Sequence, residues 1–427
     1  MDSNGLDALD GTPMIAEQTR ETAATEDQIT PDEFRDGFGE DLQQALDVDT
    51  WDEGEDLAAI YRRIEREVRE AAQDEATHRE QIRRVVFPQL GRAAGAPPGS
   101  GVYAADAGLL QRIHRGILFN GGIEACDGTL LTHDSLPLTI FQVGVGLVSY
   151  QGNQGTWSHR LFRRDLRVAG GDPVARMMEL LERRERRGGI EQPDRRDRLA
   201  RLARRGILSY AERAILLQRS IAPWRMGHGN PAPFELLTGS GSLDLMIEAT
   251  RIIRELVEGH QKFVFVASEP SDRMLLTIGE ALRPLEFAIV STLYDSIYGT
   301  VEQAHYRTQP VSSDTRWDGV RLSPPDWIRR FRDEVAPRVA VGIFRATRLS
   351  PPQLFYAHVD HADLAAHIAL ADSVLQEHRG FPLLIDLADA VCSSVFGADT
   401  LRGPVATAYT DAGVPFRYLS ERQSRYL

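Results

Sequence analysis

The first regular pattern of apolar and polar positions along the chain is a helical one. Apolar residues recur every three or four positions from about residue 57 to residue 87, among many arginines and glutamates. The stripe begins with Leu57, Ile60, Ile64 and Val68. This spacing predicts one long amphipathic helix that ends at Pro88 and either makes a dimer contact or packs along the core. The segment 91–101, GRAAGAPPGSG, then predicts a flexible joint.

Residues 121–150 carry the strand pattern around which the rest of the chain is organised. Their sequence, GGIEACDGTLLTHDSLPLTIFQVGVGLVSY, predicts two strands with a polar connection. The first strand covers roughly Gly122–Cys126 and ends in Asp127-Gly128-Thr129, and the second is long and apolar. A turn at 151–155 leads into a third strand, Thr156–Val168. Three consecutive strands with tight connections predict an antiparallel meander.

Helical and strand patterns alternate along the rest of the chain, which predicts an α/β fold. Helices are expected at Pro173–Arg187, Asp194–Arg205, Ser209–Arg219, Ser242–Val257, Asp272–Leu282, Ala362–Gln376 and Leu383–Phe396. Strands are expected at Ile221–Met226, Lys262–Ala267, Glu286–Leu293, Arg338–Thr347 and Gln353–Tyr356, with a short strand within Ala412–Arg425. By pattern, the chain divides into an acidic tail (1–50), a helical extension with its linker (51–100) and a main domain (101–427).

The composition limits the class of protein. The 427 residues are 42% hydrophobic, which is enough for a sizeable core. They contain no run of about 18 or more apolar residues, so no membrane span is expected. The acidic N-terminus lacks a secretory signal pattern, and two cysteines, Cys126 and Cys392, do not make a disulfide framework. These features predict a cytoplasmic protein.

The charge is distributed unevenly along the chain. The formal net charge is −13, but residues 1–58 alone hold 18 acidic residues and 2 arginines, and the remainder has a balance of +3. The tail, residues 1–50, is predicted to be disordered, and it either solubilises the protein or mimics nucleic acid. Apart from Lys262 the bases of the main part are arginines, which suit phosphate binding but also follow from genomic base composition. The basic helix predicted at Asp194–Arg205 is a solvated face or a phosphate-contacting surface.

Asp127 is the first candidate for chemistry. Strand side chains alternate, so Asp127 shares a face with Ile123 and Ala125. A carboxylate on the apolar face of a strand is unfavourable unless a cation accompanies it. Alternatively, Asp127-Gly128 forms a hairpin turn, for which Asp-Gly is a strong signal.

Three further groups of polar residues are candidates. Glu212 follows Ser209 by three residues at a predicted helix start, which matches a capping box. A second candidate metal site, whose spacing fits no single helical face, consists of His358, Asp360, His361 and His367. The helix predicted at 383–396 is apolar nearly all round and should be buried, yet it carries Asp386 and Asp389. Two carboxylates on a buried helix need a cation or an arginine partner.

A strand that ends in Asp-Gly-(Ser/Thr) before a long apolar strand, as at Asp127-Gly128-Thr129, resembles the opening of the nuclease domain of the NurA family. The similarity extends from about Gly121 to the C-terminus. It implies a ribonuclease H-like mixed sheet flanked by helices. It also implies a metal-dependent nuclease that acts on DNA ends as a dimer, together with a HerA-type ring ATPase, in DNA end processing or in defence against foreign DNA.

The resemblance also implies site residues. Asp127 matches the first catalytic acid, and Glu212 matches an acidic metal ligand on the helix before the next strand. His228-Gly229 stands where the family has a second Asp-Gly. After the Gly380-Phe381-Pro382 turn, where the family has Gly-Tyr-Pro, Asp389 holds the position of a catalytic histidine. An aspartate and a histidine have thus exchanged places while the total of ligands is preserved.

The residues predicted to be catalytic and metal-binding share these matched positions. They are Asp127, Glu212, His228 and Asp389, with Asp386 as a further metal ligand. They predict phosphodiester hydrolysis assisted by one or two divalent ions, with Asp127 as the expected shared ligand. Imidazole favours manganese over magnesium as the ion. The alternative is a NurA-like module that has lost catalysis and serves as a DNA-binding or regulatory subunit of the same complex.

Overall fold

The computed structural model describes residues 29–51, 57–134, 138–164, 174, 178, 199–268, 272–304, 306 and 311–415. The chain divides into two compact units, residues 1–75 and 76–427. The helix predicted at Pro173–Arg187 and the strand predicted near the C-terminus fall almost wholly outside the described residues.

The first unit contains helices α1 (Pro31–Phe38) and α2 (Leu42–Leu46) and the first turns of α3 (Leu57–Val85). Thr30 and Glu33 form a capping box at the start of α1, and Gly39 ends the helix with a φ of 74°. Residues 31–46 thus form two short helices where the composition predicts disorder, and residues 1–28 lie outside the described part. The prediction of one long helix is confirmed by α3, none of whose residues is buried.

Among the described residues, the second unit forms a nine-stranded mixed sheet, a two-stranded ribbon and helices on both faces of the large sheet. Its strands are β1 (Gly101–Ala104), β2 (Ile123–His133), β3 (Thr139–Ser149), β4 (Gly152–Arg163), β5 (Trp224–His228), β6 (Phe263–Ala267), β7 (Glu286–Thr292), β8 (Arg316–Trp317), β9 (Val320–Arg321), β10 (Val339–Arg345) and β11 (Gln353–His358). Its helices beyond α3 are α4 (Ala107–Ile113), α5 (Leu208–Arg219), α6 (Phe234–Leu237), α7 (Leu243–Glu255), α8 (Arg273–Glu280), α9 (Leu293–Gln303), α10 (Pro324–Arg330), α11 (Ala362–Ser373), α12 (Leu383–Phe396) and α13 (Ala398–Asp411).

The order of strands in the large sheet is β1-β7-β10-β11-β6-β5-β2-β3-β4. Strands β2, β3 and β4 form the predicted antiparallel meander, in which Asp127 lies opposite Gly146. Strand β5 is parallel to β2, and β6 is parallel to β5, whereas the remaining pairs are antiparallel. The carboxyl ends of β2, β5 and β6 therefore point to the same edge of the sheet, where α/β proteins commonly bind ligands.

The core lies in two layers, one on each face of the large sheet. One layer joins the sheet to α5, α7, α9 and α10 and includes Phe265 and Trp327. The other joins it to α4, α11 and α12 and includes Ile123 and Leu384. Burial on both faces explains why the central strand β6 is an uninterrupted apolar run. Every helix in the described residues is too short or too polar to cross a bilayer.

Several elements differ from the predictions, and helices α4, α9 and α10, for example, were not predicted. Strand β2 continues through Asp127-Gly128 to His133, so the hairpin-turn alternative is wrong. Strand β5 begins at Trp224, where its parallel pairing with β2 starts, and it extends to His228, which pairs with Val266 of β6. Helix α13 is absent from the prediction, since Pro404 inside it is a strong local signal against a helix.

Candidate active site

The carboxylate of Asp127 lies in strand β2, level with the carboxyl end of β5. Its side chain is 9% exposed, in the layer that contains Ile123 and Ala125, as the alternation of side chains predicts. The amide of Gly128 donates a hydrogen bond of 2.8 Å to Asp127 Oδ1. A carboxylate so nearly buried in an apolar layer requires a nearby partner of opposite charge.

His228 is the last residue of β5 and faces Asp127. Its Nδ1 lies 3.3 Å from Asp127 Oδ1, and its Nε2 lies 2.8 Å from Ser268 Oγ. The ring of Phe381 packs edge-on against the imidazole, with 5.7 Å between the ring centroids. The turn at 380–382 thus packs against the histidine that faces Asp127, although these residues are far apart along the chain.

The protonation of His228 depends on its two acidic neighbours. Burial disfavours the charged imidazole, but the hydrogen bond to Asp127 and the charges of Asp127 and Glu212 outweigh it, so the pKa of His228 lies above its ordinary value. Both ring nitrogens face protein partners in this arrangement. Coordination of a metal by His228 would therefore require one nitrogen to exchange its partner.

Glu212 approaches the same place from helix α5, on the other face of the sheet. Its carboxylate lies over Gly128, where a Cβ would stand 2.8 Å from Glu212 Oε1 and 2.6 Å from Leu208 Cδ1. The absence of a side chain at Gly128 makes room for this approach. The Glu212 side chain is 14% exposed. Burial raises the pKa of Glu212 to about 7; the guanidinium of Arg213 opposes this rise and the charge of Asp127 adds to it.

Glu212 does not cap its own helix. Helix α5 continues directly from a π-helical turn at Leu202–Ile207, and no side-chain cap bond forms at its start. The hydroxyl of Ser209 instead donates to Glu235 Oε1 at 3.1 Å. The capping-box alternative is therefore wrong, because the helix begins before Ser209 and the backbone amide there is already inside it.

Arg213 is a functional residue that the sequence reasoning missed. Its side chain is 4% exposed and donates to Glu212 Oε2 at 2.5 Å. Its other hydrogen bonds, between 2.6 and 3.3 Å, go to the carbonyl oxygens of Ser209, His228, Asn230 and Pro231. The planar fork of donors on a guanidinium thus fixes Glu212 relative to the loop between β5 and α6. The signal for this role is a charged pair, Glu212-Arg213, within an otherwise apolar helical stretch.

The predicted metal ligand Asp386 has other partners. It accepts a hydrogen bond of 2.6 Å from Gln376 Nε2 and a further hydrogen bond from Arg379. The sequence predicts that a carboxylate on this helix has either a cation or an arginine as its partner. Asp386 has an arginine, Arg379.

Asp389 lies one helical turn further along α12 and is exposed, with its Oδ1 accepting a hydrogen bond of 3.2 Å from the Ser393 hydroxyl. Helix α12 crosses the sheet at Gly146, where Cys392 packs closely. Burial raises the pKa of the Cys392 thiol to about 12, and the charges of Asp127, Asp389 and Glu212 each contribute to the rise. The charges of Asp127, Glu212 and Asp389 therefore all raise the pKa of the Cys392 thiol. Asp386 is bound instead by Gln376 and Arg379.

The histidine-rich stretch at 358–367 makes local contacts. His358 Nδ1 accepts a hydrogen bond of 3.2 Å from the amide of Asp360. His367 Nδ1 lies 2.8 Å from a carbonyl oxygen one helical turn earlier. Within the described ranges, no group of three His, Cys, Asp or Glu side chains is arranged to hold a metal ion, in this stretch or elsewhere.

Asp127 and Glu212 are two carboxylates that lie close enough for the charge of Asp127 to raise the pKa of Glu212. Magnesium sites in particular often use one or two carboxylates, with water and substrate phosphate oxygens completing the coordination. A cage of three protein ligands is therefore not required. Burial is the main cause of the raised pKa of Glu212, the charge of Asp127 adds to it, and a bound cation would oppose both effects.

No protein-family model and no curated protein matches the chain. Among solved structures, the NurA nuclease from Sulfolobus solfataricus matches over 83% of this chain and 98% of its own, with 9% identity and a TM-score of 0.44. A structure of NurA with manganese matches over 78% of this chain and 97% of its own, with 10% identity and a TM-score of 0.35. A Ciona intestinalis endonuclease V in complex with inosine-containing DNA matches over 64% and 84%, with 9% identity and a TM-score of 0.23. The resemblance to the NurA nucleases that the sequence predicts is therefore confirmed as a distant resemblance in structure.

Proposed function

We propose that the chain is a metal-dependent deoxyribonuclease whose catalytic residues are Asp127, Glu212 and His228, with Asp389 at the edge of the site. The observation that carries the proposal is the meeting of Asp127, Glu212 and His228 at the carboxyl ends of parallel strands. Asp127 and His228 are 101 residues apart in sequence and 3.3 Å apart between Oδ1 and Nδ1. Titratable groups that perturb one another in this way are typical of functional sites.

The surrounding fold supports a ribonuclease H-like core. The meander β2-β3-β4 is followed by β5 and β6, which extend the sheet on the other side of β2 and run parallel to it. The first acid, Asp127, lies on the first strand of this meander. This is the placement that the resemblance to the NurA family implies.

A divalent ion held by Asp127 and Glu212 would activate water and stabilise the leaving oxygen of a phosphodiester. Asp127 Oδ1 accepts a hydrogen bond from the Nδ1–H of His228, and this bond orients the carboxylate. The hydrogen bond to Asp127 and the charges of Asp127 and Glu212 raise the pKa of His228 and so favour its charged form, and Ser268 Oγ lies 2.8 Å from Nε2, within reach for proton exchange. Arg213 keeps Glu212 in place and compensates part of its charge.

The ion and the partners follow from the residues and the resemblance. His228 would become a ligand by exchanging one of its hydrogen-bond partners for the ion, and imidazole suits manganese better than magnesium, so we expect Mn²⁺ to support more cleavage than Mg²⁺. Asp389, and Asp386 after release from Arg379, would add carboxylates to the site. DNA is the proposed substrate, and a second copy of the chain and a HerA-like ATPase are the proposed partners. We also propose that the protein acts in DNA end processing or in antiviral defence.

A second candidate function is a DNA-binding or regulatory subunit without catalysis. The observation that favours it is the engagement of the predicted ligands by basic residues: Arg213 bonds Glu212, and Arg379 bonds Asp386. Arginines in such positions can stabilise a carboxylate cluster permanently in place of a metal ion.

The two functions are separated by incubating linear DNA with the protein in Mn²⁺, Mg²⁺ or EDTA, with and without a HerA-like ATPase. We expect cleavage with Mn²⁺ and none with EDTA. Asp127→Asn keeps the shape of the side chain, removes its charge and abolishes cleavage, whereas Asp411→Asn at the exposed end of α13 retains it. Wild-type manganese-dependent activity in Asp127→Asn would show that the site is wrong. If the wild-type protein binds DNA but does not cleave it in Mn²⁺ or in Mg²⁺, the second candidate would be established instead.

A further inference from the structure

A cavity of about 450 Å³ opens beside His228, at the carboxyl ends of β5 and β6. Its walls come from the loop after β5, from the starts of α6 and α8, and from β11. The residues that give it chemical character are Asn230, Phe234, Ser268, Asp272, Ser296 and Tyr356. Its volume lies within the range of pockets that bind small molecules, about 300–1,000 Å³, so it suits one nucleoside rather than a longer segment of DNA.

The aromatic walls are suited to a flat ring. Phe234 lines the cavity and is 65% exposed, so its ring is accessible to a ligand. Tyr356, in strand β11, also lines the cavity and is 7% exposed. Exposed aromatic rings stack on nucleobases, and every base offers a face for this contact.

The charges of the cavity exclude a phosphate from its interior. None of the described residues that line it is Arg or Lys, and Asp272 contributes a carboxylate. His228 forms the wall of the cavity nearest to Asp127, with its Nδ1 3.3 Å from Asp127 Oδ1. A nucleotide would therefore place its uncharged base in the cavity and its phosphate toward Asp127 and His228.

We propose that this cavity receives the nucleobase of the nucleotide next to the scissile phosphate, an inference that rests on the proposed nuclease function. A base in the cavity cannot be paired with a complementary strand. The enzyme therefore takes a single-stranded or frayed end, and a fully paired end reacts only after its last base pair opens.

Asp272 gives the cavity a preference among bases. Its Oδ1 accepts the amide of Leu275 at 3.0 Å and caps helix α8. Its Oδ2 makes no hydrogen bond to the described residues and can accept one from a ligand. The exocyclic amino groups of cytosine and adenine are donors, whereas the corresponding position of thymine is an acceptor. Deoxycytidine and deoxyadenosine should bind more tightly than thymidine.

The first test measures the binding of deoxycytidine, deoxyadenosine and thymidine to the protein in EDTA by NMR titration. Phe234→Ala should weaken binding roughly 5- to 150-fold, the effect of removing one stacking aromatic ring. Phe162→Ala is the matched control, because Phe162 is 61% exposed on β4, at the far edge of the sheet. Asp272→Asn keeps a good helix cap and should reduce the preference for deoxycytidine over thymidine. Equal binding by wild type and Phe234→Ala would overturn the proposal.

The second test measures cleavage of single-stranded and fully paired ends, and of strands with an abasic residue on either side of the cleaved bond. We expect faster cleavage of single-stranded ends and at least a tenfold loss with one of the two abasic strands. Equal cleavage of all substrates by an active enzyme would overturn the nucleobase subsite while leaving the nuclease function intact. Nucleoside binding by a protein that cleaves no DNA would instead reject the nuclease function and retain the cavity as a nucleobase site.

Discussion

Glu212→Gln should stabilise the metal-free protein at alkaline pH and at the same time abolish cleavage. The pKa of Glu212 rises from its ordinary value of 4.5 to about 7, with burial as the main cause. The folded protein therefore binds this proton more tightly than the unfolded chain does. The associated stability is fully present below about pH 4.5 and is lost as the pH rises through about 7. Glutamine resembles the protonated carboxyl group and can still accept the hydrogen bond from Arg213.

The size of the effect follows from the pKa. A shift of one pKa unit corresponds to a free energy of about 1.4 kcal/mol, so the rise of the pKa from 4.5 to about 7 corresponds to about 3 kcal/mol. At pH 8 in EDTA, the free energy of unfolding of Glu212→Gln should exceed that of wild type by up to about 3 kcal/mol. At pH 4 the two should be nearly equal. The raised pKa of Asp372 adds to the loss of wild-type stability with pH, but it acts in both proteins and largely cancels in the difference.

Urea unfolding from pH 4 to pH 9, with EDTA or with Mn²⁺, measures this difference. Mn²⁺ at pH 8 should stabilise wild type, because the ion binds the folded state, and should have little effect on Glu212→Gln. Glu255→Gln, at an exposed carboxylate on α7, is the control and should leave the pH profile unchanged. NMR titration should also show a lower pKa of His228 in Glu212→Gln, because the charge of Glu212 raises it in wild type. Parallel pH profiles for wild type and Glu212→Gln would refute this account of the buried carboxylate.

Three further predictions concern the residues around Glu212. Arg213→Lys should lower the free energy of unfolding by about 2–4 kcal/mol and reduce cleavage, since an ammonium group cannot reach all the acceptors of the guanidinium; urea unfolding and a cleavage assay check this. Gly128→Ala should cost only about 1 kcal/mol, because the side-chain ends it meets can move, yet displacement of Glu212 should reduce cleavage about 100-fold; unchanged turnover would contradict the role of Gly128. His228→Asp combined with Asp389→His should keep some activity and improve the use of Mg²⁺ relative to Mn²⁺, and each single change should do worse in the same assay.

Local sequence patterns determined much of the architecture. Strand and helix periodicities predict most of the described elements from β2 to α12, because burial on one face or on both leaves a repeating apolar pattern. The resemblance to the NurA family predicted a site of Asp127, Glu212, His228 and Asp389, with Asp386 in support. The charges of Asp127 and Glu212 act on His228, whereas Asp389 is exposed and Asp386 is bound by Arg379. The resemblance also matched Phe381 to a family tyrosine, and the Phe381 ring packs against His228.

Only the tertiary structure decided between local alternatives that the sequence left open. Asp127-Gly128 and the Ser209–Glu212 spacing are both strong local signals, for a turn and for a helix cap, and both yield to long-range contacts. Pairing with β3 carries β2 through Asp127-Gly128. The helical turn at Leu202–Ile207 carries the helix past Ser209. Long-range pairing overrides a local preference because it satisfies backbone hydrogen bonds and buries apolar surface over many residues at once.

The sequence likewise did not predict the partners of individual charged side chains. Arg213 binds carbonyl oxygens of a loop after β5, Asp386 binds Arg379, and the cavity beside His228 combines residues from separate helices and strands. A periodic pattern predicts which face of an element is buried, but it does not predict which element packs against that face. The electrostatic environment of a carboxylate depends on which element packs against it, because charges interact strongly only across a few ångströms of the low-dielectric protein interior. The positions of the candidate acids could therefore be predicted from sequence, while their pKa values and partners follow from the fold.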